Sequence, residues 1–250
     1  WNDKDIIKMY EDAKKNQLVW QTQYQQNPIE DETTFFVQKN SLSYYSDFYY
    51  EYLPYRNDVE YFMTCDTALK TGKANDFTVC ILFATFYKNV DNTGIDKQKI
   101  IFVVDMLRGK WIDPIPEVYA FYQKWKNFVN YAPIYIEDKV NGTALIHELR
   151  NRYITSIGIS RTNDIESRMG VVNNYITSGL LHLPIKLYTN AEYSHNYPIQ
   201  NDFVNDFERE LLSFRRQNTK TRTGHDDIVS CLIDGLAVAY NPQSLKLIKS

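Results

Sequence analysis

No stretch of this chain approaches the roughly 18 consecutive apolar residues of a membrane-spanning helix, and no signal-peptide pattern is found. The phosphate-binding pattern G-x-x-x-x-G-K-[ST] is missing, so the chain is not expected to hydrolyse ATP. Cysteine is scarce. Cys65, Cys80 and Cys231 are an odd number, lack C-x-x-C spacing, and each sits in an apolar run. They argue against a disulfide framework or a thiolate zinc site and predict buried free thiols in a reducing compartment. His147, His182 and His195 have no metal-ligand spacing among them. Net positive charge is also lacking: the formal charge is −3. No global basic field advertises a polyanion, so any nucleic-acid contact would rest on local patches. There is no internal repeat, no low-complexity tract, and nothing like a zinc finger that reads bases.

What remains is a chain able to fold. Its 250 residues are 44% hydrophobic, enough for a substantial core. The 20 Tyr and 13 Phe are expected to be mostly core or half-buried surface, with a few available to stack on bases.

Residues 4–27 have helical character, and "WNDKDIIKMY" reads as a helix already under way, as though cut from a longer protein. "NPIEDETTFF" breaks that pattern. Residues 28–58 read as a connector, and residue 59 as the start of a domain running to 250. "VEYFMTCD", "DFTVCILFATFYKN" and "KIIFVVDMLRGK" are strand-like runs joined by polar turns, which predicts an antiparallel meander. "IPEVYAFYQKWKNFVNY" then sets Val118, Phe121, Trp125 and Phe128 at helical spacing. Alternation follows: strand "APIYIED", helix "GTALIHELRNRY", strand "ITSIGIS", helix "IESRMGVVNNYITSG" closed by Gly179, helix "NDFVNDFERELLSF" and helix "GHDDIVSCLIDGLAVAY". The order predicts an α/β fold with a central mixed sheet, its first three strands antiparallel, and helices on both faces.

Three places set acids at the end of an element: Asp66 after the first strand, Glu137 and Asp138 after "APIYI", and Asp226 and Asp227 before the last helix. Ligands of α/β sheets gather at such ends. Taken singly, each acid has an ordinary reading as turn residue or cap, and Asp226 is a good N-cap. Taken together, crowded carboxylates need a cation, and oxygen donors without thiolates favour Mg²⁺ or Mn²⁺. Strand alternation lets only one of Glu137 and Asp138 point into a shared site.

"DTALKTGKANDFTVC", "IYIEDKVNGTALIHEL" and "GHDDIVSCLIDGLAVAY" resemble, in order, the three signature blocks of the nuclease domain of phage terminase large subunits. "LVWQTQYQQNP" resembles the segment joining that family's ATPase motor to its nuclease. The resemblance implies an RNase H-like endonuclease that cuts concatemeric viral DNA during genome packaging with two divalent cations, Mg or Mn. It implies Asp66 as the bridging ligand, Glu137 or alternatively Asp138 as the second, and Asp227 as the last, with Asp226 as cap or further ligand. Residues 1–58 would be the linker or tail of an upstream ATPase domain. The implied partners are double-stranded DNA, that motor, a portal and a small terminase subunit. The implied setting is the host cytoplasm during virion assembly, with no membrane. Candidate DNA contacts are Lys70, Lys73, Lys139 and the basic run containing Arg215, Arg216, Lys220 and Arg222; Asp76 is a possible metal helper and His225 a possible proton shuttle. The chain departs from the family at Ser230, where members often carry a further acid, and Asp234, two turns after Asp227 at roughly 10 Å of helix rise, is a poor substitute. Two alternatives stay open: a Holliday-junction resolvase or transposase-type nuclease of the same fold, and a catalytically silent packaging docking module.

Overall fold

A computed structural model of the chain describes residues 36–45, 57–67, 77–89, 97–129, 131–161, 163–184, 203–215 and 226–248. The strands are β1 (Ser43–Tyr45), β2 (Glu60–Asp66), β3 (Thr78–Asn89), β4 (Lys97–Gly109), β5 (Ile134–Glu137), β6 (Ser156–Ser160), β7 (Leu181–Pro184) and β8 (Lys246–Ile248). The helices are α1 (Ile115–Lys126), α2 (Val140–Asn151), α3 (Ile165–Thr177), α4 (Phe203–Ser213) and α5 (Asp227–Tyr240).

All eight strands form one sheet in the order β1-β7-β4-β3-β2-β5-β6-β8. The meander is as expected: β3 pairs antiparallel with both β2 and β4. The polarity then changes, because β5 runs parallel to β2, and β6 parallel to β5. Parallel neighbours need a crossover, and α1 and α2 supply it. The β2–β5 junction therefore brings the ends of strands distant in sequence side by side.

Period-two alternation sorts the side chains onto two faces. Met63, Cys65, Cys80, Leu82 and Ile136 pack with Val118, Phe121 and Trp125 of α1 and Leu145 and Leu149 of α2. Phe62, Val79, Ile81 and Phe83 pack on the other face with Met169 and Val172 of α3, Phe207 and Leu211 of α4, and most of α5. Each such aliphatic or aromatic side chain, fully buried, contributes about 1.5–3 kcal/mol. α5 can lie this close because residue 235 is glycine: a Cβ there would come within 2.4 Å of the Phe83 ring. Gly179, at φ 70°, terminates α3. All three cysteines are buried free thiols. Among the described residues no helix is long and apolar enough to cross a membrane.

Three strands escape the sequence reading. β1, β7 and β8 are three or four residues long at the sheet margins, too short for a periodicity to register. β1 lies inside the stretch read as connector. It pairs with β7, and Phe36, Val37, Leu42 and Tyr45 are buried beside it, so residues 36–45 belong to the folded unit. α1 also ends sooner than its apolar spacing suggested, at Lys126, where Phe128 and Val129 both donate to the Trp125 carbonyl.

Candidate active site

The register of β2 against β5 pairs Cys65 with Ile136. The next residue along each strand is Asp66 and Glu137, so the two acids end neighbouring parallel strands. Both share a face with Thr64 and Tyr135, the side on which α5 packs: the Thr64 hydroxyl donates to the Cys231 carbonyl of α5 at 2.9 Å. The first turn of α5 brings Asp226 and Asp227 to the same place. Asp66, Glu137, Asp226 and Asp227, from three segments distant in sequence, line one open pocket of about 330 Å³ together with Lys139, Arg161, Arg168 and Ser230.

Asp138 is not in that pocket. Its side chain turns the other way and accepts from the Thr143 hydroxyl in the first turn of α2. β5 alternates Ile134 and Ile136 into the α1/α2 core, which aims Glu137 at the pocket and Asp138 away from it. Asp226 occupies the N-cap position of α5, but its side chain makes no capping bond. Asp227 accepts from the backbone N–H of Phe77, at the head of β3, at 3.3 Å.

The sequence reading missed the cation at the centre. Arg161 follows the last residue of β6, the third consecutive parallel strand, and its guanidinium lies among the acids. Nη1 is 2.9 Å from Asp66 Oδ2 and 2.6 Å from Glu137 Oε2, and Nη2 is 2.5 Å from Asp234 Oδ2. Arg168, on α3, completes the arrangement: it pairs with Asp234 Oδ1 at 3.0 Å and donates to Ser230 Oγ at 3.1 Å. Lys139 Nζ stands 2.6 Å from Glu137 Oε1. Ser230, where the resemblance called for an acid, therefore faces an arginine. Asp234 sits fully buried as the shared counter-ion of Arg161 and Arg168.

Burial pushes the Glu137 carboxyl up, Arg161 and Lys139 oppose that, and Asp66 adds to it. Burial likewise pushes Asp234 up against the pull of its two arginines. For Arg161 burial alone would ease the proton off, but Asp234, Asp66 and Glu137 outweigh it and hold the guanidinium well above its ordinary value. Arg168 is shifted down by burial, with Asp234 opposing.

As a donor set, these carboxylate oxygens suit a hard divalent cation. As arranged, no three acids among the described residues stand close enough together to hold a metal. Arg161 fills the space between Asp66 and Glu137, so a cation bridging those two acids would take over its contacts.

Of the DNA-contact candidates, Lys139 lines the pocket and is 48% exposed. Arg215 follows α4 and is not among the pocket's lining residues. Lys70, Lys73, Arg216, Lys220 and Arg222, along with Asp76, His195 and His225, lie outside the described residues. His147 contacts Asn151 on α2, and His182 belongs to β7.

No protein-family model matches the sequence, and no curated protein matches it. Solved structures do. The chain superposes on the terminase nuclease domain of human cytomegalovirus with a TM-score of 0.50 and 10% identity, covering 85% of this chain and 100% of that one. It matches the large terminase nuclease of the thermophilic phage G20c, crystallised with bound magnesium, at 0.45 and 19%, over 74% and 82%. The large terminase of another thermophilic bacteriophage matches at 0.47 and 12%, over 73% of this chain; this chain spans 40% of that protein's length. At such identities the likeness is one of fold, and the full coverage of the cytomegalovirus domain carries it. The chain has the RNase H-like fold of a terminase nuclease domain.

Proposed function

We propose that this domain is a divalent-metal-dependent DNA endonuclease of the terminase type, cutting concatemeric viral DNA during packaging with little sequence preference. The observation that carries the reading is the convergence of Asp66, Glu137 and Asp227 on one open pocket, each from a different signature block, on a terminase nuclease fold. Asp66, Glu137 and Asp227 would hold the ions, with Asp226 beside them. Two Mg²⁺ or Mn²⁺ ions bound there supply water activation and stabilisation of the leaving oxygen.

The chain's own residues do the rest. The parallel pairing of β2 and β5 sets the backbones that carry the two carboxylates side by side, about 4.8 Å apart. Their mutual repulsion is offset by Arg161, which pairs with both. Lys139, half-exposed at the rim, is available to a phosphate. The upstream ATPase motor, the portal and the small subunit are the partners this reading carries. Residues 1–58, apart from the 36–45 stretch packed on the sheet, would join the nuclease to the motor.

One observation favours a second reading. A guanidinium already occupies the space between Asp66 and Glu137, as suits a catalytically silent docking module. Plasmid incubated with Mn²⁺ separates the two. Nicking by the wild-type chain, lost in Asp66→Asn, supports the nuclease; intact plasmid after long incubation with folded protein leaves the docking module. Four-way junctions run beside duplex test for a resolvase.

A further inference from the structure

α4 is amphipathic with one exception. Phe203, Val204, Phe207, Glu210 and Leu211 form its buried stripe, and one of the five is an acid. An apolar residue at that position would add to the core on this face. Glu210, only 7% exposed, instead reaches the start of α5. Its Oε1 accepts from the backbone N–H of Ile228 at 2.6 Å and of Val229 at 3.2 Å. Its Oε2 takes Arg108 Nη2 at 3.2 Å, and the other end of that guanidinium pairs with Asp206. The Arg108 guanidinium lies 3.9 Å from the centre of the Phe77 ring, and the N–H of Phe77 donates to Asp227.

The first N–H groups of a helix need acceptors, and the N-cap side chain ordinarily supplies one. In α5 the N-cap residue is Asp226, and its side chain makes no such bond. The duty has passed to a carboxylate on the neighbouring helix. We propose that Glu210 is a positioning residue of the candidate active site: by capping α5 from α4, it lets Asp226 join Asp227 in the pocket instead of folding back onto its own helix. The negative charge of Glu210 also favours the positive end of α5, and Arg108 keeps that charge compensated. The inference deepens the metal-site reading and rests on it for the purpose of the pocket, but the cap itself is a separate matter.

Four full-length chains test it: wild type, Glu210→Ala, Asp226→Ala and the double variant, melted in EDTA. With Glu210 in place, Asp226→Ala removes no cap from α5 and does not lower Tm by the amount of a lost N-cap. In the Glu210→Ala background Asp226 takes over the cap. Its removal there lowers Tm by a further 2–4 °C or so, the effect of one lost N-cap in a chain of this size. Equal losses in the two backgrounds overturn the proposal. So does a loss of that size from Asp226→Ala with Glu210 present, which decides the matter even if Glu210→Ala does not fold. Mn²⁺ binding followed by electron paramagnetic resonance adds a readout that a simple packing role would not move. Glu210→Ala weakens it about tenfold, and Glu210→Gln, which keeps the acceptor oxygen, recovers most of that; no recovery counts against the proposal. If the wild-type chain binds no Mn²⁺ at all, the metal reading fails while the melting cycle still decides the role of Glu210.

Discussion

One buried acid and a cluster of partly and fully buried acids lie on opposite faces of the sheet, and their surroundings differ in kind. Asp105, in β4, is 1% exposed and fully matched: Oδ2 accepts from Lys124 Nζ and Trp125 Nε1 at 2.8 Å each, and Oδ1 from the Met106 N–H at 2.9 Å. Burial pushes its carboxyl up, and Lys124 and Trp125 pull it back. One acid, one cation and two neutral donors close the account, sealed under α1. Across the sheet, Asp66, Glu137 and the buried Asp234 share Arg161, with Arg168 on Asp234 and Lys139 on Glu137, and Asp226 and Asp227 line the same pocket as Asp66 and Glu137. Among the described residues, four of these acids line a pocket open to solvent, and Asp105 lines none. A matched acid stabilises; a cluster facing solvent is suited to recruiting a cation.

The sharpest way to break this comparison is to neutralise one acid on each face. Asp66→Asn should lower plasmid nicking at least about 100-fold, some 2.7 kcal/mol of barrier, with stability nearly unchanged because a like charge has gone. Asp105→Ala should do the reverse, costing about 3 kcal/mol in urea denaturation by stranding Lys124 and the indole N–H, with nicking per folded molecule kept within about twofold. A folded Asp105→Ala chain that has lost nicking would erase the distinction.

The central cation comes second. Arg161→Met leaves Asp66, Glu137 and Asp234 without their shared partner and should cost about 3–5 kcal/mol in EDTA. Mn²⁺ should recover much of that loss, and recover more in the variant than it adds to the wild type, since an added ion repays the charge the arginine carried. Denaturation with and without Mn²⁺ reads both.

Proton linkage at Glu210 comes third. Burial chiefly raises its pKa from 4.5 to about 7, with Asp227 adding to the rise and the α5 N–H groups and Arg108 opposing it. The folded state therefore binds more protons than the unfolded chain between those values. That stabilisation is complete below about pH 4.5 and is lost as the pH climbs through 7. Unfolding free energies between pH 4.5 and 8 should fall about 3 kcal/mol further in the wild type than in Glu210→Gln, which has no such proton to lose.

The smallest change tests the seat of α5. Gly235→Ala sets a methyl against the Phe83 ring and should cost about 1–3 kcal/mol by overpacking. It should also weaken Mn²⁺ binding, because α5 carries Asp226 and Asp227, whereas an alanine at Gly170, with open space around it, should do neither.

Much of this was legible in the chain. Apolar alternation and polar turns marked β2, β3 and β4, and acids at element ends marked the pocket. Arg161 was not legible, since an arginine just beyond a short strand looks like any surface arginine until the strand order puts it beside Asp66. Glu210 left a faint trace, an acid on the apolar stripe of α4. Asp105 shows the opposite failure. A register shift between β3 and β4 interrupts the alternation there, so that Val104 and Asp105 both face α1, which no period-two reading anticipates.

By itself the sequence determined the kinds and order of the main elements and the fact that one of Glu137 and Asp138, not both, could enter a shared site. Those follow from the repeat of the backbone and from near neighbours. Only the tertiary structure decided that Glu137 is the one in the pocket, that Arg161 stands between it and Asp66, and that α5 is capped by another helix. These depend on which strands pair and how closely helices pack, and such contacts join residues as far as 167 positions apart through space, where local patterning carries no information.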